Sequence, residues 1–582
     1  MSHLAFLANR RKKALLEIQE HLRGLDGFKF SPSDEDDSKT ILHTSLEAKG
    51  EAWEVEVHFP MGFPDEPPKV RVPKAEENYL LKPHILGKGY LCIFDDTTWI
   101  NAQKPSEVLD EILRSTKDIL EGTSEQDFGD EFYGYWWRGK EFSNVRLYAL
   151  DSPESLKAPF HVCLSDEELV IAQSKDHIET WLKNLKGEKA KINFFGNGVL
   201  LKLDKPLLPK EFPKDLSELL EIAGRPNDSR THEILQNQAA LTSSLGFVLI
   251  SQKTESGLVF GGARFFGAAL NRKRELNKGF RPGNTPVSLL IKKGSQSLKK
   301  TTFHRHDITR VDHDHIHARG ANIGSYKTKR VMLIGCGSLG GYVAHFLSRA
   351  GVGSIVLLDN DKLKPENLGR HILGADSWYE FKAEALSQTL QKQMPHLGIS
   401  GIRYDWREAL HRNPNLFEGL DLIIITVGDL RCELPLNELG QVPGFPPIIF
   451  GWLEAFAIAG HCLVTVRGSG CRECGIDHEG NWANRVGHFE ERTLKKEPGG
   501  CTYYQEYGPT ALLPVAAMIS NQTLKILNNP PKESSLITWI SDIDHLRGAN
   551  AQLHQGWRMK ENPYSKIHTQ SWQSNLRCNI CR

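Results

Sequence analysis

The stretch VMLIGCGSLGGYVAHFLSRAGVGSIVLLD, residues 331–359, constrains this chain more than any other. A short apolar run ends at Gly335, and Gly337 and Gly340 complete the spacing G-x-G-x-x-G. A helical pattern follows, then a second apolar run that stops at Asp359. Strand, glycine turn, helix and strand in that order predict a βαβ unit of a doubly wound sheet. The glycines let the turn close and let backbone approach a phosphate, while the helix start offers unpaired N–H groups and the positive end of its dipole. Asp359 comes nineteen positions after Gly340, where a carboxylate reaches a ribose hydroxyl. NAD, FAD and ATP all fit such a turn.

The next residues separate these ligands. DNDKLKPENLGRH adds Asp361, Asn367 and Arg370, Lys382 follows in FKAEALSQTL, and the run LDLIIITVGD ends on Asp429. Hydride transfer has no evident need for an Arg, a Lys and a further Asp beyond the nucleotide loop. Splitting ATP between its α and β phosphates does: cations offset the developing charge, and a carboxylate holds magnesium.

With 582 residues the chain is too long for one core. Its 72 basic and 72 acidic residues balance, so no global charge draws it to nucleic acid or to an anionic membrane. The start, MSHLAFLANRRKKALLEIQEHL, has too short an apolar run for a signal peptide, and no stretch has the length of a membrane span. A reducing cytoplasm is expected, where cysteine clusters read as metal sites or catalysts before disulfides.

Three domains are predicted. Residues 1–125 open with a helix, Leu4 to Leu25, and continue into EAWEVEVHFP, where Trp53, Val55, Val57 and Phe59 alternate with polar residues as on a half-buried strand. KVRV is a further strand, and SEVLDEILRSTKDILEG a helix with Ser106 as N-cap. Residues 126–318 mix strands and helices without a chemical motif and read as a linker or scaffold. They close on FHRHDITRVDHDHIHARG, with His304, His306, His313, His315 and His317; on a strand the last three would share a face suited to a metal, against a solvated polar loop as the plain alternative. Residues 319–582 form the α/β nucleotide-binding domain.

The last domain also carries cysteines. Cys471 with Cys474 and Cys578 with Cys581 form two C-x-x-C pairs, four thiolates at the spacing of a structural zinc site. Cys501 lies in a polar, Gly-rich loop where a thiol is accessible to react. Cys163, Cys336, Cys432 and Cys462 read as packing residues. Near the other end, Cys92 in GYLCIF reads locally as a core thiol.

LIGCGSLGGYVAHFLSRAGVGSIVLLDNDKLKPENLGRH resembles the adenylation domain of ubiquitin-activating enzymes and their bacterial relatives in thiamine and molybdopterin synthesis. The resemblance implies adenylation of the C-terminal carboxylate of a small protein. Asp359 would hold the ribose, Asn367, Arg370 and Lys382 the ATP phosphates, and Asp429 magnesium. His371 stands where that family usually has Gln, Arg310 or Arg319 would reach the ATP of a second subunit in a homodimer, and Cys501 would take the activated protein as a thioester. FPMGFPDEPPKVRV followed by GKGYLCIFDDTTW resembles a ubiquitin-conjugating enzyme, carried by Phe63, Pro64, Pro67, Pro68, Gly89, Cys92 and Trp99. Its usual His-Pro-Asn triplet is missing: KPHILGKGY has His84 but no Asn. Asp95 and Asp96 lie close by as unassigned bases. The fusion is similar to ancillary proteins of the antiviral CBASS operons, which implies the operon's cGAS-like nucleotidyltransferase as the conjugated partner. The expected chemistry is adenylation, capture on Cys501, transfer to Cys92 and conjugation to an amine. A sulfur-carrier adenylyltransferase and a nucleotide-binding scaffold with an inactive conjugating domain are the alternatives.

Overall fold

The computed structural model describes residues 3–32, 40–78, 84–94, 100–122, 132–136, 143, 145–152, 154–166, 168–226, 228–254, 257–281, 283–320, 326–489, 495–496, 503–504 and 506–581. They divide into two compact units. One comprises residues 1–148, 153–173 and 193–309, the other residues 149–152, 174–192 and 310–582.

The first unit opens with an antiparallel sheet in sequential order: β1 (Lys29–Pro32), β2 (Thr40–Ala48), β3 (Glu51–Phe59), β4 (Lys69–Arg71) and β5 (Tyr90–Leu91). The alternation in β3 does what period 2 requires. Trp53, Val55, Val57 and Phe59 are buried, while Ala52 and Glu54 face water. Helices α1 (His3–His21) and α2 (Pro105–Glu121) complete this core with Ile18, Leu109 and Ile112. Helix α1 stops at His21 rather than Leu25, because Gly24 and Gly27 then turn the chain at φ 86° and 89°. Ser106 is not the N-cap of α2. The N-cap is Lys104, two residues earlier, and the helix starts at Pro105, whose missing N–H and preset φ suit the first position.

The next sheet has eight strands: β6 (Leu147–Ala149), β7 (Phe160–Ser165), β8 (Glu168–Ala172), β9 (Asn193–Leu203), β10 (Leu245–Thr254), β11 (Gly257–Phe266), β12 (Phe303–His306) and β13 (Ile308–Arg310), ordered β12-β11-β10-β9-β7-β8-β6-β13. Trp136, Phe212, Leu219, Val248 and Phe265 share its core.

The second unit is built on β14 (Arg330–Ile334), β15 (Ser354–Leu358), β16 (Gly398–Ile402), β17 (Leu422–Ile425), β18 (Ile448–Leu453), β19 (Ala459–Thr465), β20 (Ser535–Ile540) and β21 (Lys566–Ser571). Their order is β16-β15-β14-β17-β18-β19-β20-β21. The first five are parallel and the last three antiparallel. The chain leaves β14 toward β15 on one side and returns to β17 on the other. The crevice of this doubly wound sheet therefore opens at the C-terminal ends of β14 and β17. Helices α3 (Ser338–Arg349), α4 (Lys382–Gln393), α5 (Leu430–Leu439) and α6 (Pro509–Asn528) belong to this unit.

The histidine-rich segment departs from its strand reading. His313 and His315 lie on a short helix, His313–Ile316, capped by the Asp312 carboxylate on the His315 N–H at 3.1 Å. One turn brings the His313 and His317 rings to 4.6 Å, and His396 joins them with its Nε2 3.0 Å from that of His317. Three ligand atoms spaced for a metal are not met there among the described residues. Also among them, no helix is long and apolar enough to cross a membrane.

Burial pushes the His396 pKa from 6.5 down to about 3, helped by His317 and His313 beside it. Between those values the unfolded chain binds the proton and the folded one does not, so stability is full above about pH 6.5 and falls as pH falls. The urea midpoint of this unit is expected to drop between pH 6.5 and 5 by the equivalent of at most about 2 kcal/mol. His396→Gln should flatten that slope, as read by tryptophan fluorescence.

Candidate functional site

The glycine turn after β14 shows why each glycine is needed. Gly335 has φ 96°, and a Cβ there would come within 2.9 Å of the Thr426 carbonyl carbon. A Cβ on Gly340 would lie 1.9 Å from the Gly335 oxygen. Gly337 is different: a Cβ there meets nothing within 4 Å, because it points into open space where a ligand can approach the first turn of α3. The Thr426 hydroxyl, at the end of β17, donates to the Gly335 carbonyl at 2.7 Å and so joins the two sides of the crevice.

Two cavities open there. One of about 400 Å³ is lined by Gly335, Asp359, Asp361, Trp406, Asp429 and Cys432. The other, about 320 Å³, is lined by Ser338, Asn367, Arg370, Gly428, Trp452 and Tyr507. Gly337, Lys382, Thr426 and Val427 line both. All eight residues predicted for nucleotide binding except Gly340 thus line one or both cavities, and Gly340 supports the turn from beneath.

Asp359 ends β15. One of its oxygens accepts from the Cys336 N–H at 2.6 Å and the other from the Asp361 N–H at 2.8 Å, while burial raises its pKa. Lys382 begins α4, nearly buried, with its ammonium on Asp361 at 2.5 Å. Burial works to raise the Asp361 pKa, but the hydrogen bond and charge of Lys382 outweigh it and hold the carboxyl low. Asn367 accepts from the Lys364 N–H at 3.0 Å in the turn Pro365–Asn367, and the Arg370 guanidinium lies 5.5 Å from the Tyr507 ring. Asp429 caps α5 and is gripped by Arg431, with Nη2 donating at 2.7 Å.

Several supporting residues had no role assigned from the sequence. His371 donates from Nε2 to the Cys336 carbonyl at 2.8 Å and accepts the Leu373 N–H on Nδ1 at 3.1 Å, so it buttresses the glycine turn as a neutral ring; burial lowers its pKa. The Tyr507 hydroxyl bonds Ser338 Oγ at 2.8 Å. Cys432, read as a packing residue, is half-buried and lines the cavity beside Asp359, whereas Cys163, Cys336 and Cys462 are buried. Arg310 is engaged with Asp312 at 2.9 Å, and Arg319 is exposed.

The four cysteines converge. Sulfur separations are 3.8 Å for Cys471–Cys474, 3.5 Å for Cys471–Cys578, 3.3 Å for Cys474–Cys581 and 3.6 Å for Cys578–Cys581. Tetrahedral thiolates about 2.3 Å from a zinc ion stand roughly 3.8 Å apart, so the donor set fits that ion. All four are buried or half-buried.

Cys92 follows the edge strand β5 and is exposed, against the local expectation of a core thiol. The chain reaches it through Lys88 and Gly89 at φ 62° and 76°. Leu91 points inward opposite Val70, and the next side chain turns out to solvent. The Cys92 N–H donates to the His84 carbonyl at 2.8 Å, so that N–H is already committed and does not replace the absent Asn. Asp95, Asp96, Trp99 and Cys501 lie outside the described residues.

Residues 319–558 match the ThiF family, and residues 28–145 match the prokaryotic E2 family B. The chain carries both domains. The ThiF domain is thus the one with the glycine turn, and the E2 domain the one with Cys92. The ATP-dependent ubiquitin transferase-like protein Cap2 of Vibrio cholerae is 28% identical over 55% of this chain and 59% of its own length. That of Pseudomonas aeruginosa is 32% identical over 32% of this chain and 33% of its own. The chain therefore spans between a third and three fifths of these relatives. The crystal structure of Escherichia coli MccB overlaps 44% of this chain and 66% of its own at 20% identity and a TM-score of 0.31.

The two glycines separate turn from ligand. Gly340→Ala is expected to lower the melting temperature through overpacking, by the equivalent of about 1–3 kcal/mol. Gly337→Ala should melt like the parent chain but bind ATP several-fold more weakly, as titration calorimetry would measure.

Proposed function

We propose that this chain is an ATP-dependent ubiquitin-transferase-like enzyme that activates the C-terminal carboxylate of a partner protein and conjugates it to an amine. The observation that carries this reading is the exposed thiol of Cys92, in an E2 domain on the same chain as a ThiF nucleotide crevice. A scaffold needs no reactive thiol in that place, and a sulfur-carrier adenylyltransferase needs no E2 domain.

In this reading Asp359 holds the ribose, and Asn367, Arg370 and Lys382 hold the phosphates. Lys382 reaches a phosphate by exchanging Asp361 for it. Asp429 would hold magnesium once Arg431 releases it, an ion that would supply charge neutralisation for the leaving pyrophosphate. A carboxylate oxygen of the partner attacks the α-phosphorus and pyrophosphate leaves. The Cys501 thiolate attacks the acyl carbon and AMP leaves. The Cys92 thiolate then displaces Cys501, and an amine displaces Cys92 as the thiol, leaving an amide. Cys471, Cys474, Cys578 and Cys581 would hold zinc in a closed site with a structural role. Likeness to the CBASS ancillary proteins supports the operon's cGAS-like nucleotidyltransferase as partner, a homodimer through the ThiF domain, and a cytoplasmic setting.

The chain incubated with ATP, magnesium and the neighbouring gene's product is expected to give a thiol-sensitive adduct on non-reducing gels. Cys92→Ala should trap that adduct on Cys501 and Cys501→Ala should abolish it. An adduct on Cys501 alone in the parent chain, unchanged in Cys92→Ala, would favour the sulfur-carrier alternative, and no adduct would favour the scaffold. Elemental analysis should return one zinc per chain, lost in Cys578→Ser together with part of the thermal stability.

A further inference from the structure

A buried ion pair ties the first cysteine pair to the nucleotide crevice. Arg472 stands between Cys471 and Cys474, its side chain 6% exposed and that of its partner Glu433 0%. Its Nε donates to one Glu433 oxygen at 2.9 Å, and the other oxygen accepts from the Gly428 N–H at 3.1 Å. Gly428, at φ 69°, belongs to the loop between β17 and α5 and lines the crevice. The Arg472 guanidinium also lies 4.2 Å from the ring of Trp452, which lines the same cavity from the neighbouring strand β18, and 4.8 Å from Trp482. One turn beyond Glu433 on α5, Asn437 accepts the Arg472 N–H at 2.8 Å. Arg472 thereby contacts both the helix that Asp429 caps and Trp452 on β18.

Stability alone does not account for this pair. Two charges taken out of water gain little over an apolar pair of the same size, and such replacements are often neutral or stabilising. What an apolar pair does not supply is an oriented acceptor for the Gly428 N–H. We propose that Arg472 and Glu433 are positioning residues for ATP: Arg472 sets the Glu433 carboxylate, which holds the Gly428 loop, while its guanidinium holds Trp452. The four-cysteine site thereby acts on nucleotide affinity as well as on the fold. This inference rests on the ATP reading above.

Titration calorimetry with magnesium–ATP on the full, metal-containing chain tests it, with melting temperatures alongside. Arg472→Met/Glu433→Leu removes both charges and the acceptor; it is expected to melt close to the parent chain yet bind about tenfold more weakly, equivalent to about 1.4 kcal/mol. The KM for ATP should rise in proportion while kcat changes little. Arg472→Met/Glu433→Gln keeps an acceptor for Gly428 and should recover most of the affinity. If the leucine variant fails to fold, Arg472→Lys carries the test: it keeps the charge but loses the flat fork, and should weaken ATP binding and speed hydrogen exchange over Thr426–Asp429. Unchanged affinity in a folded Arg472→Met/Glu433→Leu chain, or unchanged affinity and exchange in Arg472→Lys, overturns the proposal while leaving the ATP reading in place. A parent chain that binds no magnesium–ATP overturns both.

Discussion

Everything the ThiF domain offers a nucleotide depends on how closely backbone approaches backbone at the end of β14. Gly340 sits so near Gly335 that a single added carbon would overlap the Gly335 carbonyl at 1.9 Å. That carbonyl is in turn held by Thr426 from β17. The contact fixes where α3 begins, hence where its free N–H groups point, and the strand order then opens the crevice beside it. His371, Asp359 and Tyr507 each bond to the same few residues, Cys336 to Ser338. The turn is thus braced from three directions before any ligand arrives, which is the preorganisation that electrostatic stabilisation of a charged ligand needs.

The charged residues around the crevice are held against each other. Lys382 rests on Asp361, and Asp429 on Arg431. These pairs keep the fold supplied with matched charge and leave an incoming anion or cation as a competing partner of the right sign. The Lys382 pair is the more consequential, since its ammonium is nearly buried; Arg431 is almost fully exposed, and water screens that pair.

Local pattern told most where neighbours in sequence are neighbours in space. The alternation of β3, the βαβ order and the stripe of α2 were legible because period 2 and period 3.6 are properties of the backbone. The same logic misled at the histidines: period 2 was applied to a segment that Asp312 caps into a helical turn, so His313 meets His317 instead of His315. Ser106 lies inside the helix, not at its cap, for an equally local reason: Pro105 starts it. Read from its immediate neighbours alone, Cys92 passes for a core thiol because the apolar letters around it are shared between inside and outside. Leu91 enters the core and the edge strand ends there, so its neighbour emerges into water.

The sequence by itself determined the glycine spacing, the two C-x-x-C pairs and the acidic strand end, since each is a short-range constraint on backbone or ligand geometry. Only the tertiary structure decided which distant groups share a charge or a wall. Cys471 meets Cys578 across the whole end of the domain, and Arg472 finds Glu433 and, through it, Gly428. The physical reason is that burial and pairing are properties of the folded chain: an arginine in a cysteine knuckle reads as a solvated charge until α5 and Trp452 close over it.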